Sequence, residues 1–310
     1  PEPDADDWCD GHAHTVVFSM TSQRRPVPGP RVDMLPVLGL GLGHGHVPGS
    51  PGAAWLYAKL YIAEHRMNPF LVAELPAPLG DLGDRPCWFV RWPQAREGDD
   101  GDHLRLRIRV DNDADKVLAA VTAWVDRLRA DGRLNRLAFD TYYPETGRYL
   151  AIEEAEAVFS ADSRFVLALL THMSGGEPSP VVLTALSLFD VAAAFLGDRD
   201  QAAGWLGAQA PKAAPDRADV EQVTQLARGG LWHDIPEWPD IAKAHQQRAD
   251  AIAQYRRALP EPANTDAALH SLFHMHHNRA LGVDRDCEVV CLRLARQAAA
   301  TWRACHQGRA

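Results

Sequence analysis

The sequence predicts an α+β fold, in which a small, mostly antiparallel sheet in the N-terminal half packs against a largely helical C-terminal half. Segments rich in aromatic and β-branched residues, typical of strands, occur only before residue 145. From residue 151 onwards, apolar residues recur at helical spacing. The polar, turn-forming stretch 93–102 separates two of the strand segments, which favours an antiparallel pair.

Size and composition limit the class of protein. The chain has 310 residues, of which 46% are hydrophobic, enough for one large domain or a domain with a small annex. A net charge of −9 argues against a broad nucleic-acid or membrane surface. Because no run of about 18 apolar residues occurs and the first residues do not resemble a signal peptide, we expect no membrane span. Five scattered cysteines favour free thiols in a reducing cytosol, so we expect a cytoplasmic location.

The first 54 residues differ from the rest of the chain. Residues 14–20 form one candidate strand, and the Gly- and Pro-rich stretch 26–52 that follows disfavours both helix and central strand. We therefore predict that residues 1–54 form a linker or extended arm, and that residues 55–310 form the functional domain.

Within that domain, strands are predicted over 55–62, 87–92, 103–110 and 136–145. A short helix should begin near Asn68, with a proline in its first turn. The segment 113–132 is amphipathic and ends at Gly132. One stripe of this helix carries five apolar residues: Val117, Val121, Trp124, Val125 and Leu128. Further helices are predicted over 151–170, 180–196, 199–207, 218–228, 238–258, 264–280 and 284–305.

The strand HLRLRIRV places cations on one face. Alternation along a strand puts His103, Arg105, Arg107 and Arg109 on one side and four apolar residues on the other. Adjacent arginines repel one another and suit a carboxylate or phosphate ligand, which a guanidinium binds through two hydrogen bonds. The alternative is a solvated outer face, and the pattern alone favours it.

The segment DTYYPETGRY continues from the fourth strand into a loop that carries Glu145 and Arg148. Loops at strand ends commonly carry functional residues. The alternative is a surface ion pair worth ~0–1 kcal/mol, which the pattern alone favours.

The helix 264–280 contains the stretch SLFHMHHNR. At helical spacing, His270, Ser271, His274, His277 and Asn278 fall within about a third of the circumference. Such a polar face suits the wall of a pocket, and histidine can act there as acid or base. A metal site is the alternative, but no matching Cys/His or carboxylate set is apparent.

The cysteines of the last helix do not complete such a set. Cys287 and Cys291 lie one turn apart and would need two further ligands, so we interpret them as small hydrophobic residues. We therefore predict neither a metal nor a cofactor.

Six segments resemble one family when taken together. AWLYAKLYI, WFVRW, HLRLRIRV, DTYYPETGRY, AEAVFSADSR and SLFHMHHNRALGVD follow the order and spacing of class I lantibiotic dehydratases. They are similar to the C-terminal, glutamate-eliminating domain of that family, which also occurs as a separate protein in thiopeptide pathways. The resemblance covers about residues 50–305. Residues 8–35 resemble the end of the larger glutamylation domain, which implies a piece cut or evolved from a two-domain enzyme.

The resemblance implies a lyase that removes glutamate from glutamylated Ser or Thr of a ribosomal precursor peptide, leaving dehydroalanine or dehydrobutyrine. It implies four catalytic residues: Arg107, Glu145, Arg148 and His274. We expect His274 to shuttle a proton, with its acid and base roles left open, and the two arginines to hold the glutamyl group. Glu145 would orient them, and Arg105 is the alternative arginine on the same strand.

Further implications concern substrate and partners. Arg105, Ser271, His277 and Asn278 are expected to contact the substrate or to support those that do. The expected partners are a precursor peptide, with its leader and modified core, and a glutamylation domain or subunit; direct tRNA binding is not expected. One departure is that Leu150 and Ala151 stand where the family usually has glycines.

Two other functions are compatible with the same resemblance. Thiopeptide pyridine synthases share the fold and join two dehydroalanines in a formal cycloaddition that releases the leader peptide. A non-catalytic peptide-binding partner of a split dehydratase is the third. The arginine, glutamate and histidine set favours elimination, because a cyclase has no glutamyl group to hold.

Overall fold

The computed structural model describes residues 45–50, 52–93, 101–173, 178–209, 213–229, 239–260 and 264–306. The candidate strand 14–20 and most of the predicted arm lie outside these ranges. Within them the architecture is α+β, with the strands in the N-terminal half and the long helices after residue 151, as predicted.

The sheet has four antiparallel strands. They are β1 Trp55–Tyr61, β2 Cys87–Trp92, β3 His103–Arg109 and β4 Arg136–Asp140, in the order β2-β3-β1-β4. The antiparallel pairing of β2 with β3 was predicted. β4 ends five residues earlier than predicted, because the Thr141 N–H is bound by the Asp140 carboxylate and Tyr142 pairs instead with His46.

Ten α-helices surround the sheet or follow it in the described part of the chain. They are α1 Met67–Ala73, α2 Pro76–Asp81, α3 Ala114–Ala130, α4 Ile152–Met173, α5 Pro180–Leu196, α6 Arg199–Ala208, α7 Arg217–Gly229, α8 Pro239–Ala258, α9 Thr265–Leu281 and α10 Arg285–His306. The single helix expected from Asn68 is two helices. Pro76 has no N–H with which to continue the hydrogen bonds of α1, and it can begin α2 because that N–H is not needed in the first turn of a helix.

The two faces of the sheet differ as the alternation in β3 predicts. Leu104, Leu106 and Ile108 are at most 1% exposed and belong to the hydrophobic core, as do all five apolar residues predicted on one stripe of α3. On the opposite face the arginines of β3 alternate with aromatic neighbours: Trp88 of β2 and Tyr57 of β1 flank Arg107.

Side chains from two helices cover the outer edge of β2. On α4, Ser163 Oγ accepts a hydrogen bond from the Phe89 N–H. On α9, the Asn278 amide both accepts from the Arg91 N–H (2.9 Å) and donates to the Arg91 carbonyl (3.0 Å). Arg279 Nε donates to the Phe89 carbonyl at 3.0 Å. An open strand edge carries unpaired backbone groups, so these bonds satisfy β2 and fix α9 against the sheet.

A buried carboxylate joins three helices behind this edge. Asp162 of α4 accepts hydrogen bonds from His276 Nδ1 (2.8 Å) and Arg279 (3.0 Å) of α9, and from Arg248 of α8 (3.3 Å). Burial alone raises the pKa of Asp162, but the charges of His276 and the two arginines outweigh it and hold the pKa well below its usual range. The stabilisation is therefore present above the pKa of an unfolded aspartate and is lost as the pH falls.

No single helix among the described residues has the length and apolar character needed to cross a bilayer; only the bent pair α5 and α6, taken together, meets those criteria.

Replacing Asp162 tests the importance of this buried cluster. Asp162→Asn keeps the shape but removes the carboxylate that pairs with Arg248 and Arg279, so we expect the free energy of unfolding at neutral pH to fall by about 3–5 kcal/mol. Asp126→Asn, on the exposed face of α3, is the control and should change it by no more than ~0.5 kcal/mol. Urea denaturation followed by circular dichroism measures both, and equal stabilities would contradict the role given to Asp162.

Candidate functional site

Arg107 is a buried cation for which the described part of the chain supplies no counter-ion. It is 7% exposed, and its guanidinium lies 4.3 Å from the ring centroids of both Tyr57 and Trp88 and 5.5 Å from that of Tyr142. It donates one hydrogen bond, to the Arg105 carbonyl at 3.2 Å, while its Nε has no partner and no carboxylate of the described chain pairs with it. Burial lowers the pKa of Arg107 to about 10, so it stays charged at neutral pH. The solvated-face alternative therefore does not hold for Arg107.

The neighbouring arginines of β3 differ from Arg107. The Arg105 guanidinium stacks 3.5 Å from the ring centroid of the exposed Trp92, and its Nε donates to His103. Arg109 lies 5.6 Å from the ring of Trp55. Arg107, by contrast, contacts Tyr142, and the nearby Glu145 carboxylate opposes the lowering of its pKa. Arg107 is thus the β3 arginine adjacent to the loop that carries Glu145 and Arg148.

That loop is held to α4 at both ends. At its start, the Tyr142 hydroxyl donates to Glu156 (2.6 Å), which also accepts from the Trp55 indole (2.9 Å). Burial raises the pKa of Glu156, although these two hydrogen bonds oppose the rise. At its end, the buried Tyr149 ring packs against Phe159 with centroids 4.9 Å apart. A fixed loop presents its polar side chains at a defined place.

Between these anchors, the side chains of Glu145 and Arg148 are exposed. They form a loose ion pair of 3.8 Å, and the Arg148 N–H donates to the Glu145 carbonyl. Arg148 Nε also donates to Ser271 Oγ of α9 at 3.3 Å, across 123 positions of the chain. The structure therefore brings the loop to the helix face that carries His274, one turn beyond Ser271.

His274 has a partner that the sequence did not reveal. Its side chain is 37% exposed, and its Nδ1 lies 3.0 Å from the Glu288 carboxylate of α10. Burial raises the pKa of Glu288, but its hydrogen bond with His274 more than offsets this, so the pKa is lowered. A proton on Nδ1 donated to Glu288 leaves the lone pair of Nε2 free to act as a base.

No local signal identifies Glu288 as a functional residue. It lies in the first turn of α10, where acidic residues are ordinary because they complement the helix dipole. Its relation to His274 depends on the packing of α9 beside α10, which no short motif encodes.

The other two residues predicted on α9 point away from this surface. His277 is 1% exposed and lies beside Cys287 and Cys291 of α10. Asn278 is buried against β2, where both its oxygen and its nitrogen are hydrogen-bonded to Arg91. Of the four α9 residues that the resemblance assigns to the site, Ser271 and His274 are thus the two that are not buried. Substrate contact by His277 and Asn278, like that by Arg105, stays a prediction.

The arrangement combines three chemical capacities. Arg107 supplies a positive charge that the described part of the chain does not neutralise, in an aromatic setting of low polarity. Arg148 supplies a second, exposed guanidinium for a carboxylate. His274, oriented by Glu288, can accept and return a proton. Together these groups suit the removal of a proton from a carbon atom followed by departure of an anion.

Comparison with known proteins identifies the family. The family described as lantibiotic biosynthesis dehydratase C-term matches residues 55–299. The nisin biosynthesis protein NisB of Lactococcus lactis subsp. lactis is 24% identical over 250 residues, which are 77% of this chain and 24% of NisB. The subtilin biosynthesis protein SpaB of Bacillus subtilis is 24% identical over 266 residues, 79% of this chain and 25% of SpaB.

A solved structure agrees in fold. The crystal structure of the tRNA dependent lantibiotic dehydratase MibB from Microbispora sp. 107891 superimposes with a TM-score of 0.68 at 24% identity, covering 85% of this chain and 29% of MibB. This chain spans about a quarter of the length of the curated relatives it matches. The family match extends over most of the chain and includes all four strands of the sheet and α9. The chain therefore belongs to the lantibiotic dehydratase C-terminal family.

Proposed function

We propose that this chain is a lyase that eliminates glutamate from glutamylated Ser or Thr residues of a ribosomal precursor peptide. The observation that carries the proposal is the buried cation of Arg107, which has no carboxylate partner among the described residues and lies beside a loop whose Arg148 is hydrogen-bonded to the helix face of His274. A buried charge without a partner is unfavourable in a purely structural setting. A carboxylate-bearing substrate would supply the missing partner.

The chemistry follows from the groups present. His274 Nε2 removes the α-proton of the esterified residue, and the electron pair of that C–H bond forms the new Cα=Cβ double bond. The Cβ–O bond breaks at the same time or in a following step, and glutamate leaves as a carboxylate. Glu288 stabilises the imidazolium that forms, since its carboxylate already accepts from Nδ1.

The two arginines have separate tasks in this scheme. Arg107 is held rigidly by its aromatic neighbours, so it stabilises negative charge at a fixed place without reorganisation. Arg148 is exposed and bound only loosely to Glu145, so it can exchange that partner for the free carboxylate of the glutamyl group. Glu145 keeps Arg148 aligned until the substrate arrives.

The proposed partners follow from the substrate. The peptide must arrive already glutamylated, so a glutamylation domain or subunit acts before this chain. The precursor peptide is the partner that contacts the site itself, and tRNA need not bind here.

Substitution of His274 tests the proposal. Given a synthetic glutamylated peptide, His274→Ala should release glutamate at least ~100-fold more slowly than the wild type, because the proton acceptor is lost. The control, His65→Ala, changes an exposed histidine outside the site and should keep full activity. Mass spectrometry of the peptide follows the reaction, and circular dichroism verifies the fold of both variants.

Three outcomes would contradict the proposal: undiminished release by His274→Ala, no release by the wild type, or conversion of an already dehydrated peptide to a pyridine macrocycle by the wild type.

A comparison of two buried arginines separates function from stability. In Arg107→Met the lost stacking is offset by removal of an unpaired buried charge, so we expect the free energy of unfolding to stay within about 1 kcal/mol of the wild type. Arg279→Met breaks the pair with Asp162 and should cost about 3–5 kcal/mol. Urea denaturation gives both values, and glutamate release should be lost in Arg107→Met despite its stability. Equal destabilisation by the two substitutions would show that Arg107 is chiefly structural.

A further inference from the structure

Three side chains with metal-binding groups meet between α9 and α10. They are His277, Cys287 and Cys291, and one ring nitrogen and the two sulfur atoms all lie within 4.8 Å of one another. We call this set the His-Cys-Cys cluster. It is separate from the proposed elimination chemistry, which uses none of its three members.

The two helices bring these groups together in a simple way. Cys287 and Cys291 are four residues apart on α10, so their side chains share one face of that helix. α9 ends at Leu281, and α10 begins at Arg285 after a short connection in which Gly282 has a positive φ of 99°. His277, near the end of α9, therefore faces the first turns of α10. The third ligand is invisible in the spacing of the two cysteines alone.

The His-Cys-Cys cluster is largely buried, and one of its polar atoms has no partner in the described part of the chain. His277 is 1% exposed, and its Nε2 has no hydrogen-bond partner in the described part of the chain. Leaving such an atom unsatisfied costs about 1–3 kcal/mol. The fully buried Cys291 thiol makes a long contact of 3.8 Å to the Val181 carbonyl and a hydrogen bond with the neighbouring Cys287 thiol. A bound cation would satisfy the imidazole and both sulfur atoms at once.

The donor set selects the class of cation. Two thiols and one imidazole are soft or borderline ligands, which favour zinc and other thiophilic ions over calcium or magnesium. Sites with three protein ligands of this kind leave a fourth position for water or another ligand. Cys287 is only partly buried, so the cluster has a route to solvent by which an ion can enter.

We propose that the His-Cys-Cys cluster binds one zinc ion through His277, Cys287 and Cys291, with an exchangeable ligand in the fourth position. The ion ties the end of α9 to the start of α10. The same two segments carry His274 and Glu288. His274 lies one helical turn before His277, and Glu288 directly follows Cys287. Zinc thus stabilises the helical hairpin that carries the proposed base and its partner.

Metal titration of the full chain tests this site directly. After chelation and reduction, the protein should take up one equivalent of Zn²⁺ by calorimetry, and the thermal midpoint should rise because the ion binds only the folded state. Co²⁺ used as a spectroscopic probe should give a thiolate-to-cobalt charge-transfer band and the strong visible bands of a tetrahedral site.

Matched cysteine variants assign the ligands. Cys287→Ser alters the partly exposed ligand and should fold, yet bind Zn²⁺ at least about 100-fold more weakly, since even the loss of a supporting residue costs 10- to 100-fold. The control Cys305→Ser removes an exposed cysteine of the same helix outside the cluster and should leave the affinity unchanged. His277→Gln should weaken the affinity as Cys287→Ser does.

Several results would overturn the site. They are the absence of a charge-transfer band in the wild type, its persistence in Cys287→Ser, or its loss in Cys305→Ser. None of these depends on glutamate release, so failure of the zinc site and failure of the elimination proposal are distinguishable.

Discussion

The position of the whole site depends on Arg279, which links three parts of the fold. Its guanidinium pairs with the buried Asp162 of α4, while its Nε donates to the Phe89 carbonyl at the edge of β2. Removing one member of a buried ion pair is strongly destabilising. The pair between Arg279 and Asp162 is therefore needed to hold α9 in its place. The rotation of α9 then follows: His276, Asn278 and Arg279 face the protein, and the turn that carries Ser271 and His274 faces the loop with Arg148.

A second constraint is electrostatic and concerns the sheet. Asp162 forms ion pairs with the two buried arginines beside it, whereas no carboxylate of the described chain pairs with Arg107. Both environments are buried, but only the first contains an ion pair among the described residues. We therefore infer that the charges around Asp162 are structural and that the charge of Arg107 is available to a ligand. The aromatic rings around Arg107 stabilise its positive charge. They provide no anion that a substrate would have to displace.

Local patterns predicted most of the architecture, and tertiary packing determined what they missed. Alternation in β3 and the stripe of α3 were confirmed because each depends only on neighbours along the chain. β4 ended early because Tyr142 pairs with His46, a long-range contact. Arg107 could not be separated from Arg105 by spacing, since only the folded chain puts one of them beside Tyr142. Glu288 and the contact of His277 with two cysteines likewise require the packing of two helices, which a single sequence does not encode in any short pattern.

The central claim is that Arg107, Arg148 and His274 act on one bound glutamyl group. A crystal structure of the chain with a peptide in which an amide replaces the glutamyl ester tests it most directly, because the amide resists elimination. The account predicts that the glutamyl group lies between the guanidinium groups of Arg107 and Arg148, with its free carboxylate against Arg148 and its ester carboxyl against Arg107. It also predicts that the α-carbon of the modified residue lies beside Nε2 of His274. Binding of the glutamyl group elsewhere, with these three side chains unchanged and uncontacted, would contradict the account.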